Sequence, residues 1–241
     1  MAEASPPSNE NKPKSAPQRA LEKLGLVRDI DLALHLPLRY EDETKRVPIA
    51  SLRDGDVAQV EGVVTDSRVQ FRPRRQLVVK IHDASGESDS DLVLRFLNFY
   101  PSHQKTLAEG ARVRVRGEAR GGFFGLEMVH PAFKAVDEAT PLARALTPVY
   151  PTTAQLPQAY LRKVVASGLS RADLSEQLPP GSVPAGMMSL RDALDFLHHP
   201  APDVSIETLE DHSHPAWQRL KFEELLAQQL SQLKAKQERE R

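Results

Sequence analysis

The sequence predicts a mixed α and β fold in which a five-stranded barrel is flanked by helices, and three observations carry this prediction. Between residues 57 and 130, apolar and polar side chains alternate with a period of two, which is typical of strands. On both sides of that stretch, apolar residues recur at the three- and four-residue spacing of helices. More than half of the 19 prolines follow residue 131, where they divide the chain into short helical segments.

These changes in composition divide the chain into four parts. The first part has almost no large apolar side chain and predicts disorder, and the second has two helical patterns separated by Gly25. Two short helices joined at a glycine could present amides to a phosphate, but packing is the more frequent role of such a pair. The parts are a disordered tail, a helical N-terminal segment, a barrel domain and a helical linker, over residues 1–16, 17–50, 51–136 and 137–241.

The overall composition excludes several classes of protein. The chain has 241 residues with 32 Lys and Arg against 33 Asp and Glu, so any contact with nucleic acid must come from local patches. The absence of Cys excludes a disulfide scaffold and Cys-based metal sites. No apolar run approaches the about 18 residues of a membrane span, and the N-terminus does not read as a signal peptide. We therefore expect a cytoplasmic protein with no membrane partner.

The alternating region has the layout of an OB-fold barrel, a common platform for single-stranded nucleic acid. A short helical pattern over residues 101–108 lies between the third and fourth strands, as that fold requires. Gly121 and Gly122 predict a hairpin turn before the fifth strand. The predicted strands cover residues 57–64, 76–82, 91–98, 111–120 and 123–130.

Two basic stretches belong to this predicted barrel. They consist of Arg72, Arg74 and Arg75 before the second strand, and Arg112, Arg114 and Arg116 on the fourth. Residues two apart on a strand lie about 6.6 Å apart on one face, so the second group should form a line of guanidinium groups. Guanidinium is suited to bidentate contact with phosphate, and such a line could follow a nucleic-acid backbone. A solvated barrel exterior is the alternative.

Aromatic side chains crowd the end of the third predicted strand. Phe96, Phe99 and Tyr100 follow Arg95 in the motif RFLNFY, although the chain has only 8 Phe and 4 Tyr. Both faces of this strand are apolar and both cannot be core, so some of these rings should be exposed and could stack on bases. The alternative is that Phe96 and Phe99 close the end of the barrel.

The chain shows no arrangement of residues typical of catalysis. The stretch GSVPAG over 181–186 has the glycine spacing of a phosphate-binding loop, but Met187 and Met188 follow where Lys and Ser or Thr are required. No serine lies in a G-x-S-x-G motif, and the histidines lack the spacing of metal ligands. We therefore expect no catalytic residue, metal or cofactor in this chain, and no ATP hydrolysis by it.

Six stretches spread in order along the chain point to a known family. They are LEKLGL (21–26), LALHLPLRYEDET (32–44), RFLNFY (95–100), GEARGGFFGLEMVHPAF (117–133), LTPVYPTTAQL (146–156) and HPAWQRLKFEELLAQQL (214–230). With them the sequence resembles the N-terminal, wedge-domain part of RecG, a family of bacterial ATP-dependent DNA helicases that remodel stalled forks and Holliday junctions.

The resemblance implies an OB-fold wedge that sits at the branch point of a fork and splits its arms. Aromatic side chains of the family's third strand stack on bases there. Carried over, Phe96 is the first candidate, and Asn98 and Phe99 also match the motif. Leu97 departs from it, since relatives often have an aromatic there, so the second ring is either Phe99 or Tyr100.

The resemblance also implies partners that this chain does not contain. Helicase motor domains in a longer chain would follow the helical linker, use ATP and Mg²⁺, and pull the duplex arms against the wedge of a monomeric protein, while the two basic stretches hold the arm backbones. Two other functions fit the residues: a protein-interaction scaffold and a generic single-strand binder. A DNA wedge needs RFLNFY exposed, whereas a scaffold can bury it.

Overall fold

The computed structural model describes residues 15–72, 74–83, 90–122, 125–179 and 181–240. Residues 1–14 of the predicted tail and residues 123–124, the first two of the predicted fifth strand, lie outside the described part. Ser15 caps the first helix by accepting a hydrogen bond from the Gln18 amide, so residues 15 and 16 belong to a helix rather than to a tail.

The described residues form seven α-helices and eight strands, together with a short 3₁₀ helix at Ile49–Ser51. The helices are α1 (Ala16–Lys23), α2 (Asp29–Ala33), α3 (Pro101–Thr106), α4 (Gln158–Arg171), α5 (Leu190–His198), α6 (Ile206–Glu210) and α7 (Pro215–Arg239). The strands are β1 (Arg39–Glu41), β2 (Val57–Gln70), β3 (Gln76–Asp83), β4 (Ser90–Phe96), β5 (Arg112–Gly122), β6 (Gly125–Val129), β7 (Ala132–Ala135) and β8 (Thr147–Val149). None of these helices is both long enough and apolar enough to cross a membrane.

The chain divides into two compact units. One runs from Asp42 to Leu146, and the other combines the described residues before Asp42 with those after Leu146. In this second unit β1 pairs antiparallel with β8, and α2 packs on α4. Most of the helical N-terminal segment and of the helical linker, which the sequence suggests as separate parts, therefore share one unit, whereas residues 42–50 and 137–146 belong to the barrel unit.

The barrel unit has the strand order of an OB-fold. Neighbouring strands follow the order β2-β3-β4-β6-β5, and β5 pairs again with β2, which closes a barrel of five strands. All pairs are antiparallel except β4 with β6. The helix α3 lies between the third and fourth barrel strands, and β7 adds to β5 outside the ring. The predicted five-stranded barrel is confirmed.

Close packing inside the barrel depends on one glycine of β2. This strand pairs with β5 through its first half and with β3 through its second, and its register shifts between Val64 and Asp66. A Cβ added at Gly62 would lie 2.6 Å from the carbonyl oxygen of His82. Because only glycine permits this approach, the strand can bend and serve both neighbours.

The helical unit buries the apolar faces of the N-terminal helices. Leu21 and Leu32 pack with residues of α4, and a Cβ at Gly168 would lie 2.4 Å from the Cβ of Leu32. Burial of both helices supports the packing role over the presentation of amides to a phosphate.

A buried polar chain ties these helices to α5. His198 Nε2 lies 2.8 Å from the carbonyl oxygen of Ala33, so it must donate, and Nδ1 then accepts from the Tyr150 hydroxyl at 2.7 Å. A protonated ring would lose that acceptor. Burial, above all, lowers the pKa of His198 from 6.5 to about 4.

Acidification should therefore destabilise the helical unit. Between pH 6.5 and about 4 the unfolded chain binds a proton at His198 that the folded chain rejects, so stability falls as the pH falls, by up to about 3 kcal/mol. Urea unfolding followed by the fluorescence of Trp217, the single tryptophan, measures this unit. In the variant H198Q the free energy of unfolding should depend less on pH. Some dependence should remain, because burial also lowers the pKa of His35. If the free energy of unfolding of H198Q depended on pH as strongly as that of the unmodified chain, His198 would not be the cause.

Candidate nucleic-acid interface

Phe96 lies in the core of the barrel. The alternation of β4 turns Phe96 inward with Leu92 and Leu94, and its side chain is 2% exposed. Its ring meets those of Phe133 and His103 edge to face, with centroids 5.3 and 5.8 Å apart. The interpretation of Phe96 as an exposed stacking residue is therefore wrong, and the ring plugs the barrel, as in the alternative.

The other members of the RFLNFY motif are more accessible. Asn98 is exposed, and Tyr100 is 70% exposed with its ring edge against His103 at 5.5 Å. Pro101 occupies the first turn of α3, so the strand must end before it and Tyr100 is held at the junction. Phe99 is half-buried, and the guanidinium of Arg75 lies over its ring at 4.3 Å from the centroid.

The hairpin between β2 and β3 brings the first basic stretch beside this motif. Gln70 pairs with Gln76 and Leu77 pairs with Phe96, so Phe71, Arg72, Arg74 and Arg75 lie next to the end of β4. Arg72 and Arg74 are exposed, and neither forms an ion pair with a described residue. Both charges are therefore open to an anionic ligand.

Phe71 is part of the same hairpin and is not predicted as a site residue from the sequence. Its side chain is 70% exposed, one residue after β2 ends. The signal was present, because QFRPRRQ places an aromatic in a basic turn between two predicted strands. We use the term basic–aromatic surface for Phe71, Arg72, Arg74, Arg75, Asn98, Phe99 and Tyr100.

Most of the arginines predicted to form a line on β5 are engaged in ion pairs with one carboxylate, that of Glu61. Arg114 is 3% exposed, and its Nη2 and Nε donate to Glu61 Oε2 at 2.9 and 3.1 Å. The same guanidinium donates to the carbonyls of Thr140 and Pro141. Arg114 therefore cannot bind phosphate in this structure, because Glu61 lies directly opposite it across the β2–β5 pair.

Glu61 engages two further arginines. Arg112 Nε donates to its Oε1 at 2.9 Å, and Arg46 Nη1 lies 3.3 Å from the same oxygen. Burial opposes ionisation, but the hydrogen bonds from Arg112 and Arg114 prevail and lower the pKa of Glu61 below its usual value. Arg112 stays half-exposed and Arg116 is half-buried. A contact of these two arginines with phosphate remains a prediction.

Arg95 is also committed within the barrel. Its Nε donates to Glu127 Oε2 at 2.6 Å, and both side chains are largely covered. The two residues belong to β4 and β6, the parallel pair of the barrel. This ion pair and the small exposed fraction of its side chain make Arg95 a weaker candidate for a phosphate contact than Arg72 or Arg74.

The two basic stretches do not merge into one surface. Arg112 lies opposite Val63, whereas the hairpin begins after Gln70, seven residues further along β2. That separation is about 23 Å along an extended strand. The basic–aromatic surface therefore excludes the arginines of β5, and it offers guanidinium groups, an amide and exposed rings at one end of the barrel.

Comparisons with known proteins show which family the chain belongs to. Residues 14–172 match the model of the RecG wedge domain family. The ATP-dependent DNA helicases RecG of Escherichia coli (strain K12) and Pasteurella multocida (strain Pm70) are 45% and 41% identical to this chain over 217 and 221 residues. These alignments cover 88% and 90% of this chain and 31% of each relative, so the chain spans about a third of their length.

A solved structure of RecG bound to a three-way DNA junction has the same fold. It superposes with a TM-score of 0.65 at 23% identity and covers 98% of this chain and 33% of its own. Since the family model matches well over half of the residues, the chain belongs to the RecG wedge domain family.

Proposed function

We propose that this chain binds branched DNA, at stalled forks and Holliday junctions, as the wedge of an ATP-dependent DNA helicase of recombination and repair. The observation that carries the proposal is the basic–aromatic surface at one end of a closed OB-fold barrel. The names of the relatives support the helicase, and the three-way junction held by the similar structure supports a branched ligand.

The surface suggests how a branch would be held. Arg72 and Arg74 would contact phosphates of the arms, because both are exposed and free of acidic partners among the described residues. Tyr100 would stack on a base at the branch point, in place of the buried Phe96. Asn98, exposed two residues before Tyr100, can donate to and accept from a base edge.

The remaining functions belong to the longer protein. Motor domains in that protein would bind ATP and Mg²⁺ and pull the arms against the wedge, so that the barrel converts translocation into strand separation. We propose that the protein acts as a monomer in the cytoplasm, where its DNA substrate lies.

The charge-removing variant R72Q/R74Q should weaken fork binding in a salt-dependent way. Each lost phosphate contact lowers the slope of log K against log salt by about 0.9 on duplex, so the slope should fall by about 2. Fluorescence anisotropy of a labelled three-way fork, a matched duplex and a single strand across a salt series measures this slope and the preference for the fork.

The matched control removes the same charge from the other end of the barrel. R53Q/R120Q changes two exposed arginines, Arg53 before the start of β2 and Arg120 on β5, and should leave the slope unchanged. Equal losses in the two variants would show that only net charge matters. Equal, weak binding of the unmodified chain to all three DNAs would favour a scaffold, and preference for the single strand would favour a generic single-strand binder.

A further inference from the structure

The β2–β3 hairpin exposes a large apolar ring, that of Phe71, which does not belong to the barrel core. Phe71 follows the last paired residue of β2, Gln70, and is 70% exposed. It belongs to the stretch SRVQFRPRRQLVVK, over residues 67–80, which contains no acidic residue. An exposed aromatic among cations suits a polyanion that also offers flat apolar faces, which is the chemistry of unpaired nucleic-acid bases.

The strand order separates this ring from the strand that leads to Tyr100. Phe71 extends β2 and Tyr100 follows β4, and β3 lies between those strands. Neighbouring strands are about 4.8 Å apart, so the ends of β2 and β4, from which the two rings extend, are about 10 Å apart. That distance is well beyond the about 3.4 Å between neighbouring stacked bases of one strand.

The ring of Phe99, which precedes Tyr100 in the chain, is covered. The guanidinium of Arg75, which leads into β3, lies 4.3 Å from the centroid of Phe99. Phe99 packs against the barrel core on one side and is covered by this cation on the other, so that face is closed to a base. The surface thus has two open stacking positions, Phe71 and Tyr100, with a cation between them.

We propose that Phe71 is a second stacking residue, which holds an unpaired DNA base on the opposite side of Arg75 from Tyr100. The inference rests on the proposed function and deepens it. Because the rings extend from strand ends about 10 Å apart, farther than neighbouring stacked bases of one strand, each ring takes a base from a different arm. Arg75 between them faces the phosphates where the arms diverge. Such a site selects a branch over a duplex or a single strand.

The test compares variants of the full 241-residue chain on two DNAs. The probes are a three-way fork with unpaired bases, one replaced by 2-aminopurine, and an uninterrupted duplex. F71A should bind the fork about fivefold or more weakly, should bind the duplex as the unmodified chain does, and should lose the quenching of 2-aminopurine that stacking produces. F71W should restore both fork affinity and quenching.

Controls separate stacking from folding and from general apolar contact. Val57 is an exposed apolar residue at the other end of β2, and V57A should bind as the unmodified chain does. Because Phe71 is exposed, F71A should unfold at the same temperature as the unmodified chain. Normal fork binding and quenching by F71A would overturn the inference and leave the proposed function intact. So would equal losses on fork and duplex, whereas absence of any fork preference in the unmodified chain would overturn the proposed function itself.

Discussion

Replacing Phe96 with alanine should lower the free energy of unfolding of the barrel unit by about 3–5 kcal/mol. The ring is almost fully buried with Leu92 and Leu94, and it contacts Phe133 and His103 edge to face. Truncation removes this buried area and leaves a cavity that the closed barrel cannot easily fill. Urea unfolding followed by far-UV circular dichroism measures the loss, and hydrogen exchange of β3 and β4 assigns it to the barrel.

Tyr100 supplies the matched comparison four residues later. It is mostly exposed, so Y100A should change the free energy of unfolding by no more than about 0.5 kcal/mol while weakening fork binding. A loss of fork binding in F96A under conditions where that variant is fully folded would contradict the structural role. It would show that the strand end opens to present Phe96 to DNA.

The face of β4 that is buried could not be determined from the sequence. Its strand and the following helix were both predicted, because alternation and Pro101 are local signals. Both faces of the strand are apolar, however, with Val93 on one and Leu94 on the other. The choice depends on pairing with β3 and β6 and on closure of the barrel, which are long-range properties.

The ion-pair partner of the β5 arginines could not be predicted from the sequence for the same reason. Spacing correctly predicted a strand carrying Arg112 and Arg114, but their common partner Glu61 is distant in the sequence and becomes a neighbour only through the β2–β5 register. The first basic stretch needs no such pairing, since it lies in a turn between consecutive strands. Local patterns are therefore sufficient to predict exposed arginines in the hairpin, whereas they cannot predict the ion pairs of Arg112 and Arg114 on β5.

The division into units shows a further limit of local reasoning. Helical spacing predicted helices before and after the barrel, but nothing in those patterns indicates that β1 pairs with β8. That short pairing and the buried chain from Ala33 through His198 to Tyr150 join segments far apart in the sequence. Only the three-dimensional contacts show that these segments share one unit.

Removing the carboxylate of Glu61 should destabilise the barrel unit by about 3–5 kcal/mol. In E61A the buried guanidinium of Arg114 keeps its bonds to the carbonyls of Thr140 and Pro141 but loses its counter-charge. An uncompensated buried cation is costlier than a buried apolar pair of similar size. Urea unfolding of E61A against the unmodified chain measures the difference.

The double variant E61M/R114M distinguishes a buried ion pair from a ligand site. Removing both partners should recover much of the stability lost in E61A, because the buried cation is gone and the other two partners of Glu61, Arg112 and Arg46, are partly exposed to water. Fork affinity and its salt slope should match those of the unmodified chain, since the buried Arg114 contacts no phosphate. A slope lower by about 0.9 in a folded E61M/R114M protein would instead mean that Arg114 leaves Glu61 to meet the DNA backbone. Arg114 would then be a DNA-binding residue, and stabilising the barrel would not be the main role of the ion pair.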